Sequence, residues 1–169
     1  LGPDEYFRRL GQWEMAVSAI EPGHFSVLAN RAWIKTYNDV DFAAAAPLWE
    51  QAYPGAANNG EFLRYIARFG AYIGRFDIST QLHERAVAVD PLCVNCLYQL
   101  SRSYIWSGDW DEAEEARERF LLLGGSGGHY LYGIIELMQG DAEAALGIFE
   151  SSPMHESTRL AGSAMALHT

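Results

Sequence analysis

The sequence is poor in positive charge and has no long apolar run. Its 12 lysine and arginine residues are outnumbered by 22 aspartate and glutamate residues, which gives a formal net charge of −10. Such a negative field repels phosphate backbones and anionic lipids. No apolar stretch approaches the roughly 20 residues that cross a bilayer, and the first residues lack the pattern of a signal peptide. These absences predict a chain that binds neither nucleic acid nor a membrane.

The composition is otherwise that of a folded domain. Apolar residues make up 49% of the chain and charged residues 20%, proportions typical of soluble globular proteins. We expect a cytoplasmic location, with the periplasm as the alternative for a piece of a membrane-anchored regulator. The first residue is not Met, and the last four residues, Ala-Leu-His-Thr, resemble the middle of a helix. We therefore expect a piece of a longer protein.

An internal repeat organises the chain. Four segments share a glycine, a polar residue, usually an aromatic residue, a nearby acidic residue, and then small and apolar residues at helical spacing. They start at Gly11, Gly74, Gly108 and Gly140. Gly74 and Gly108 are 34 residues apart, Gly108 and Gly140 are 32 apart, and the first interval of 63 is close to two periods. The missing member lies at NDVDFAAAAPLWEQAY, where the glycine is replaced.

Each repeat predicts a helical hairpin. Apolar residues before the glycine segments recur every three to four residues, as in Leu97, Leu100 and Tyr104, which is typical of an amphipathic helix. The glycine then ends the first helix in a conformation that other residues avoid. We therefore predict an all-α solenoid of about five hairpins, forming a single array over residues 1–169. The predicted hairpins lie at 4–21, 24–53, 60–89, 93–123 and 127–152, and a sixth starts at 156–169.

Two kinds of side chain recur at equivalent places in the hairpins. Aromatic residues are expected to wedge between the two helices of a hairpin and its neighbour. They are Trp13, Phe42, Phe76 and Trp110. Small residues are expected where two helices approach closely. They are Ala16, Ala45, Ala113 and Ala145.

The segment DPLCVNCLYQLSRSYIWSGDWDEAEEARERF resembles a tetratricopeptide repeat (TPR). The matching residues are Pro91, Leu97, Leu100, Tyr104, Gly108 and Ala113. The resemblance covers nearly the whole chain and departs from the family at Ser101, Arg117 and the GGSGG linker. It implies a right-handed superhelix whose concave face, lined by the first helices, holds peptides or partner domains. A looser resemblance is to C-terminal repeat arrays of bacterial winged-helix transcription factors and adenylate cyclases.

The resemblance and the helical spacing together place candidate ligand-binding residues on the concave face. They are Arg64, Arg68, Tyr72, Asn95, Tyr98, Arg102, Trp106 and Tyr130. Arginines can hold a carboxylate through paired hydrogen bonds, and aromatic rings supply contact area. We therefore expect a protein or peptide ligand with an acidic residue or a free C-terminus, bound on a solvent-lined face. The alternative is that Arg64 and Arg68 only pair with Glu61 or with carboxylates of a neighbouring helix.

The C-x-x-C pair of Cys93 and Cys96 does not by itself predict a metal or redox site. A thioredoxin-like site needs an α/β context, and a zinc site needs two further ligands that the scattered histidines do not supply. We expect two small apolar residues on a packed helix. A local disulfide is the alternative in an oxidising compartment.

No other pattern predicts catalysis, a cofactor or a metal ion. Gly124–Gly128 matches the G-x-S-x-G pattern of hydrolases, but the elbow that presents such a serine follows a strand, and the preceding sequence is helical. These glycines are expected to end that helix and to form a hinge before the last hairpin. We therefore predict a protein that is not an enzyme.

Two functions remain. The first is a scaffold that binds a protein or peptide through its concave face. The alternative is the regulatory or sensory domain of a larger bacterial transcription factor or nucleotide cyclase, acting by ligand binding or dimerisation. A homodimer could form through the apolar ends of the array. The end residues are Tyr6, Phe7, Leu10, Leu160, Met165 and Leu167.

Overall fold

The structure of the chain is a computed structural model, which describes residues 3–21, 23–126, 128–151 and 156–168. Ten α-helices and no β-strand lie within these ranges, so the prediction of an all-α chain is confirmed. The helices are α1 (Pro3–Ile20), α2 (Phe25–Tyr37), α3 (Phe42–Ala56), α4 (Gly60–Tyr72), α5 (Phe76–Val89), α6 (Val94–Ser107), α7 (Trp110–Leu122), α8 (Gly128–Met138), α9 (Ala142–Ser151) and α10 (Glu156–Leu167).

The helices pack in consecutive pairs and form the predicted solenoid. α2 packs on α3, α4 on α5, α6 on α7, and α8 on α9, and the pairs meet through α3–α4, α5–α6 and α7–α8. The first helices α2, α4, α6 and α8 also contact one another in turn, whereas no close backbone contact joins α3, α5 and α7 in the described ranges. A stack with this asymmetry curves toward its first helices. These four helices therefore line the concave side.

Three of the predicted glycine turns are confirmed. Gly74, Gly108 and Gly140 have φ angles of 78°, 82° and 91°, a left-handed conformation that a Cβ atom disfavours. In the α2–α3 turn, which has no glycine, Val40 takes the same role with a φ of 54°, at a cost in strain because it is β-branched. Gly124, with a φ of 81°, follows the end of α7 as expected. The hinge at that point stays a prediction.

The first predicted hairpin, 4–21, is wrong. α1 is one continuous helix that passes through Gly11. A glycine inside a helix costs only about 1 kcal/mol relative to alanine, so Gly11 does not by itself end the helix. As a result Trp13 is 43% exposed instead of wedged between two helices, and Ala16 is exposed instead of lying at a helix contact.

The other predicted packing residues are buried, with one exception. The fully buried alanines are Ala45, Ala113 and Ala145. Phe42 and Trp110 are partly buried against neighbouring core clusters. Phe76 was expected to wedge between helices but is 45% exposed. It lies at the start of α5, where its ring centroid is 5.9 Å from that of Trp106 on the next pair.

The apolar residues at the ends of the array were predicted to allow dimerisation. Leu160 and Leu167 on α10 are exposed, and the side chains of Tyr6, Phe7 and Leu10 lie outside the described residues. Dimerisation through these ends stays a prediction. None of the described helices combines the length and the hydropathy that a membrane-spanning helix needs.

Candidate binding groove

Arg68 lies at the centre of an aromatic cluster on the concave side. Its guanidinium carbon is 5.0 Å from the centroid of the Tyr37 ring and 5.9 Å from that of Tyr72. Its Nη2 donates a 3.1 Å hydrogen bond to the Tyr72 hydroxyl, and the two rings meet edge to face at 5.6 Å. Among the described residues, no carboxylate forms an ion pair with Arg68. The positive charge of Arg68 is therefore not paired with an acidic side chain in the described part of the chain.

Arg102 repeats this arrangement on α6. Its guanidinium carbon is 4.8 Å from the centroid of the Trp106 ring and 6.0 Å from that of Tyr98, and its Nη1 is 3.5 Å from the Gln99 side-chain oxygen. It too has no ion pair within the described part of the chain. Together with Trp106 and Tyr130, Arg102 lines a cavity of about 140 Å³. The structure thus brings three of the predicted residues together.

Arg64 is not on a solvent-lined face, and that prediction is wrong. It is only 6% exposed, and its Nε and Nη2 both donate to Glu61 Oε2, at 2.9 and 2.5 Å. Its guanidinium carbon stacks 4.1 Å from the centroid of the Tyr65 ring. The alternative considered for this residue, pairing with Glu61, is therefore the one that the structure shows. The same alternative does not hold for Arg68 within the described residues.

A buried histidine feels the charge of all three predicted arginines. His83 is 1% exposed, and its Nδ1 lies 2.8 Å from Ser103 Oγ. Burial is the main cause that lowers the pKa of His83 to about 3, and the positive charges of Arg64, Arg68 and Arg102 lower this pKa further. His83 is therefore neutral near pH 7, and its contact with Ser103 joins α5 to α6.

Of the other predicted residues, Tyr98 lies near the groove arginines and Asn95 lies apart from them. Burial raises the pKa of Tyr98, while the charges of Arg102 and Arg68 act in the opposite direction, so Tyr98 lies within reach of both arginines. Tyr130 raises the pKa of Tyr98 slightly further. Asn95 is exposed in the first turn of α6, and no contact described for it reaches the cluster.

Sequence reasoning missed an aromatic pocket at the α1 end of the groove. Its volume is about 360 Å³. The lining residues are Trp13, Ser26, Ala29, Asn30, Trp33, Trp49, Phe62 and Tyr65. Asn30 Nδ2 is buried there without a hydrogen-bond partner among the described residues. The Trp33 ring lies 5.1 Å from the Tyr37 ring, between centroids, in a tilted arrangement, which joins this pocket to the Arg68 cluster.

Tyr37 is a further residue that sequence reasoning missed. Burial raises the pKa of Tyr37 to about 12, while the nearby charge of Arg68 acts in the opposite direction. The Tyr37 hydroxyl therefore stays protonated at neutral pH. The Tyr37 ring lies beside the Arg68 guanidinium. The four-residue spacing of Trp33 and Tyr37 on one helix face was the signal that could have found it.

The C-x-x-C pair is a disulfide at the N-terminus of α6. Cys93 and Cys96 are joined with their Cα atoms 5.2 Å apart, and both are buried, as predicted. The Cys93 sulfur accepts a 3.1 Å hydrogen bond from the Cys96 N–H and so caps the helix. The structure therefore shows the disulfide that was the alternative for this pair.

The G-x-S-x-G match does not form a hydrolase elbow. Ser126 comes after α7, a helix, where the elbow would need a strand. Its match to the pattern is thus a coincidence of composition in a glycine-rich linker.

Solved structures of other proteins resemble this fold. No protein-family model matches the sequence, and no curated protein matches it. A crystal structure of MamA superposes with a TM-score of 0.65 at 17% identity, over 100% of this chain and 99% of that chain. YrrB, described as a TPR protein with an unusual peptide-binding site, superposes with a TM-score of 0.65 at 15% identity, over 98% of this chain and 83% of that chain.

A thermophilic repeat protein also superposes on this chain. TTC0263, a TPR protein of Thermus thermophilus, has a TM-score of 0.72 at 14% identity, over 91% of this chain and 87% of that chain. The chain has the tetratricopeptide repeat fold. The helix pairs α2–α3, α4–α5, α6–α7 and α8–α9 are its TPR-like units, and α1 is a single helix before the first of them.

Proposed function

We propose that this chain is a scaffold that binds a protein or peptide in its concave groove by holding a carboxylate of the ligand. Arg68 and Arg102 hold an acidic side chain or a free C-terminus. One observation carries the proposal: two arginines on the concave side are framed by aromatic rings and have no ionic partner among the described residues.

The geometry of each arginine favours a carboxylate. Guanidinium groups form two parallel, charge-assisted hydrogen bonds with a carboxylate, which are stronger than neutral ones. The rings of Tyr37 and Trp106 already restrict the two guanidinium groups, so less conformational entropy is lost when the ligand binds. In a chain of net charge −10, two such arginines form a local positive region that selects an acidic group at close range.

The rest of the ligand finds apolar contacts along the same face. The pocket of about 360 Å³ beside Trp33 is large enough for an apolar side chain. Exposed Tyr72 and Trp106 add aromatic surface of the kind that dominates binding interfaces. A peptide is favoured as the ligand because the similar protein YrrB is described as having a peptide-binding site.

The proposal extends to the domain organisation and to the class of protein. We propose a single array over residues 1–169 that acts by binding and not by catalysis, since the similar structures named above are repeat proteins. Those structures give no support to the alternative of a regulatory or sensory domain. A cytoplasmic location, and the lack of binding to nucleic acid or membrane by this chain, stay predictions.

The test is affinity capture from a lysate of the source cells with three forms of the chain. The groove variant is Arg68→Ala with Arg102→Ala. Its matched control is Arg85→Ala with Arg119→Ala, on the second helices α5 and α7. Arg85 contacts Tyr53 by a 2.9 Å hydrogen bond and a 5.9 Å ring contact, much as Arg68 contacts Tyr72. The two variants therefore lose equal charge, and the loss of the Arg85 contacts in the control matches the loss of the Arg68 contacts.

We expect the wild type and the control to capture the same partner and the groove variant to lose it. Circular dichroism of all three forms checks that the loss is not caused by unfolding. Capture of the same partner by a folded groove variant would show that the partner binds elsewhere, and the concave-groove proposal would fail.

A further inference from the structure

We propose that the reduced form of this chain binds a zinc ion through Cys93, Cys96 and Glu61, at the junction of α4 with the α5–α6 turn. The potential ligand atoms of these three residues all lie within 4.8 Å of one another. This site is separate from the groove arginines 68 and 102, and it does not depend on the proposed function.

The third ligand comes from a distant part of the sequence. Glu61 lies in the first turn of α4, and its Oε1 is 3.6 Å from the Cys93 sulfur, 32 residues away. Two thiolates and a carboxylate are a donor set that zinc takes in tetrahedral sites, with the fourth position left to water. Glu61 is thus one of the two further ligands that the histidines in the sequence did not supply, and water is the other.

The carboxylate is already held in the orientation of a ligand. Arg64 donates two hydrogen bonds to Oε2 of Glu61, which leaves Oε1 directed at the sulfurs. Side chains that anchor the second oxygen of a ligating carboxylate in this way orient metal ligands and strengthen binding. Arg64 is itself 6% exposed, so this support is rigid.

The charges of the zinc-bound state balance. Two thiolates and one carboxylate carry three negative charges, and one zinc ion with Arg64 carries three positive charges. The N-terminus of α6 further favours negative charge on the sulfurs, and the Cys96 N–H already donates to the Cys93 sulfur. Both cysteines are buried and the Glu61 side chain is 43% exposed, so water can reach the fourth position from the Glu61 side.

Reduction must precede binding. A dithiol reductant transfers two electrons and two protons to the Cys93–Cys96 bond, becomes a disulfide itself and leaves two thiols. Zinc then displaces both thiol protons, which pass to the buffer. The disulfide and the zinc site are therefore exclusive states of one cluster.

The experiment measures zinc binding by the full chain, prepared without a polyhistidine tag. The protein is reduced with a phosphine, desalted without oxygen and titrated with zinc against a chromophoric chelator. Cobalt(II), which takes similar ligands, is added in parallel because thiolate ligation gives it characteristic absorption. The variants are Cys96→Ser and Glu61→Gln, and Glu118→Gln on the exposed side of α7 is the control of equal charge change.

We expect the reduced wild type and E118Q to bind one zinc ion per chain, C96S to lose binding, and E61Q to bind at least about tenfold more weakly. The oxidised wild type should not bind. If the reduced wild type remains folded but takes up no zinc, the proposal is overturned. It is also overturned if E61Q binds as tightly as the wild type, because Glu61 would then not be a ligand, even if C96S fails to fold.

Discussion

Arg64 and Arg68 lie one turn apart on α4 but have opposite environments. Arg64 is buried, stacked on Tyr65 and neutralised by Glu61. Arg68 is partly exposed, stacked on Tyr37, and has no acidic partner among the described residues. The helical spacing that places both on the same face of α4 does not show this difference. Arg64 has an acid, Glu61, one turn earlier on the same helix, and Arg68 has none at that spacing.

The comparison changes how the groove should be tested. Replacing Arg64 would remove buried contacts as well as charge, so a loss of binding in such a variant could come from damage to the fold. Arg68 and Arg102 can be replaced with a smaller structural effect.

The largest effect is expected from Arg64→Ala compared with Arg68→Ala. Arg64→Ala removes a charged hydrogen-bond pair and buried packing, and should lower the free energy of unfolding by about 2–3 kcal/mol. Arg68→Ala should lower it by less than about 1 kcal/mol, since it loses only ring contacts and one exposed hydrogen bond. Urea denaturation followed by circular dichroism measures both. Equal losses in the two variants would contradict the contrast drawn between the two residues.

Acid stability should depend on His83, the buried histidine that contacts Ser103. Its pKa is about 3 in the folded chain and about 6.5 when unfolded. The unfolded chain therefore binds the proton first, so the stability due to neutral His83 is complete above pH 6.5 and falls as the pH drops toward 3. Between pH 6.5 and pH 5 the loss should be roughly 2 kcal/mol.

The control for this effect is His83→Gln, which keeps a hydrogen-bonding group facing Ser103 but cannot take up the proton. Its stability should change much less over the same pH range in urea denaturation. The lowered pKa values of exposed Asp39 and Asp77 also reduce stability as the pH falls, but equally in both proteins. A variant as acid-sensitive as the wild type would show that His83 is not the cause.

The smallest effect is expected from Tyr72→Phe. This change removes the hydroxyl that accepts the 3.1 Å hydrogen bond from Arg68 but keeps the ring. The free energy of unfolding should change by less than about 1 kcal/mol. Affinity for a captured carboxylate ligand should fall about threefold, because Arg68 is less restricted before binding. Fluorescence anisotropy measures the affinity, and an affinity unchanged from wild type would show that Tyr72 does not position Arg68.

Much of the fold could be predicted from the sequence, because local signals determine it. Apolar residues at helical spacing and the glycines at 74, 108 and 140 marked the helix pairs and their turns. The error at Gly11 arose because a glycine by itself is compatible with a continuous helix. Val40 occupied a left-handed turn position that its side chain would not suggest.

The site was only partly predictable, because its key contacts join distant residues. The periodicity of α4 and α6 singled out Arg68 and Arg102 as candidates, but not the framing of Arg68 by Tyr37, which comes from the preceding pair. The Glu61–Cys93 contact spans 32 residues and leaves no local pattern. Pairing within α4, by contrast, was visible from the three-residue spacing of Glu61 and Arg64.

The most direct test of the central claim is a coupling measurement between the groove arginines and a ligand carboxylate. Peptides are selected on the wild type from a random library with free C-termini, and the selected sequences are synthesised with each acidic group or the C-terminus neutralised as an amide. Anisotropy then gives affinities for wild type and for Arg68→Ala with Arg102→Ala. We expect neutralising one carboxylate to weaken wild-type binding about tenfold or more but to have little further effect on the variant. Equal weakening in both proteins, or selected peptides that bind as tightly without any carboxylate, would contradict the account.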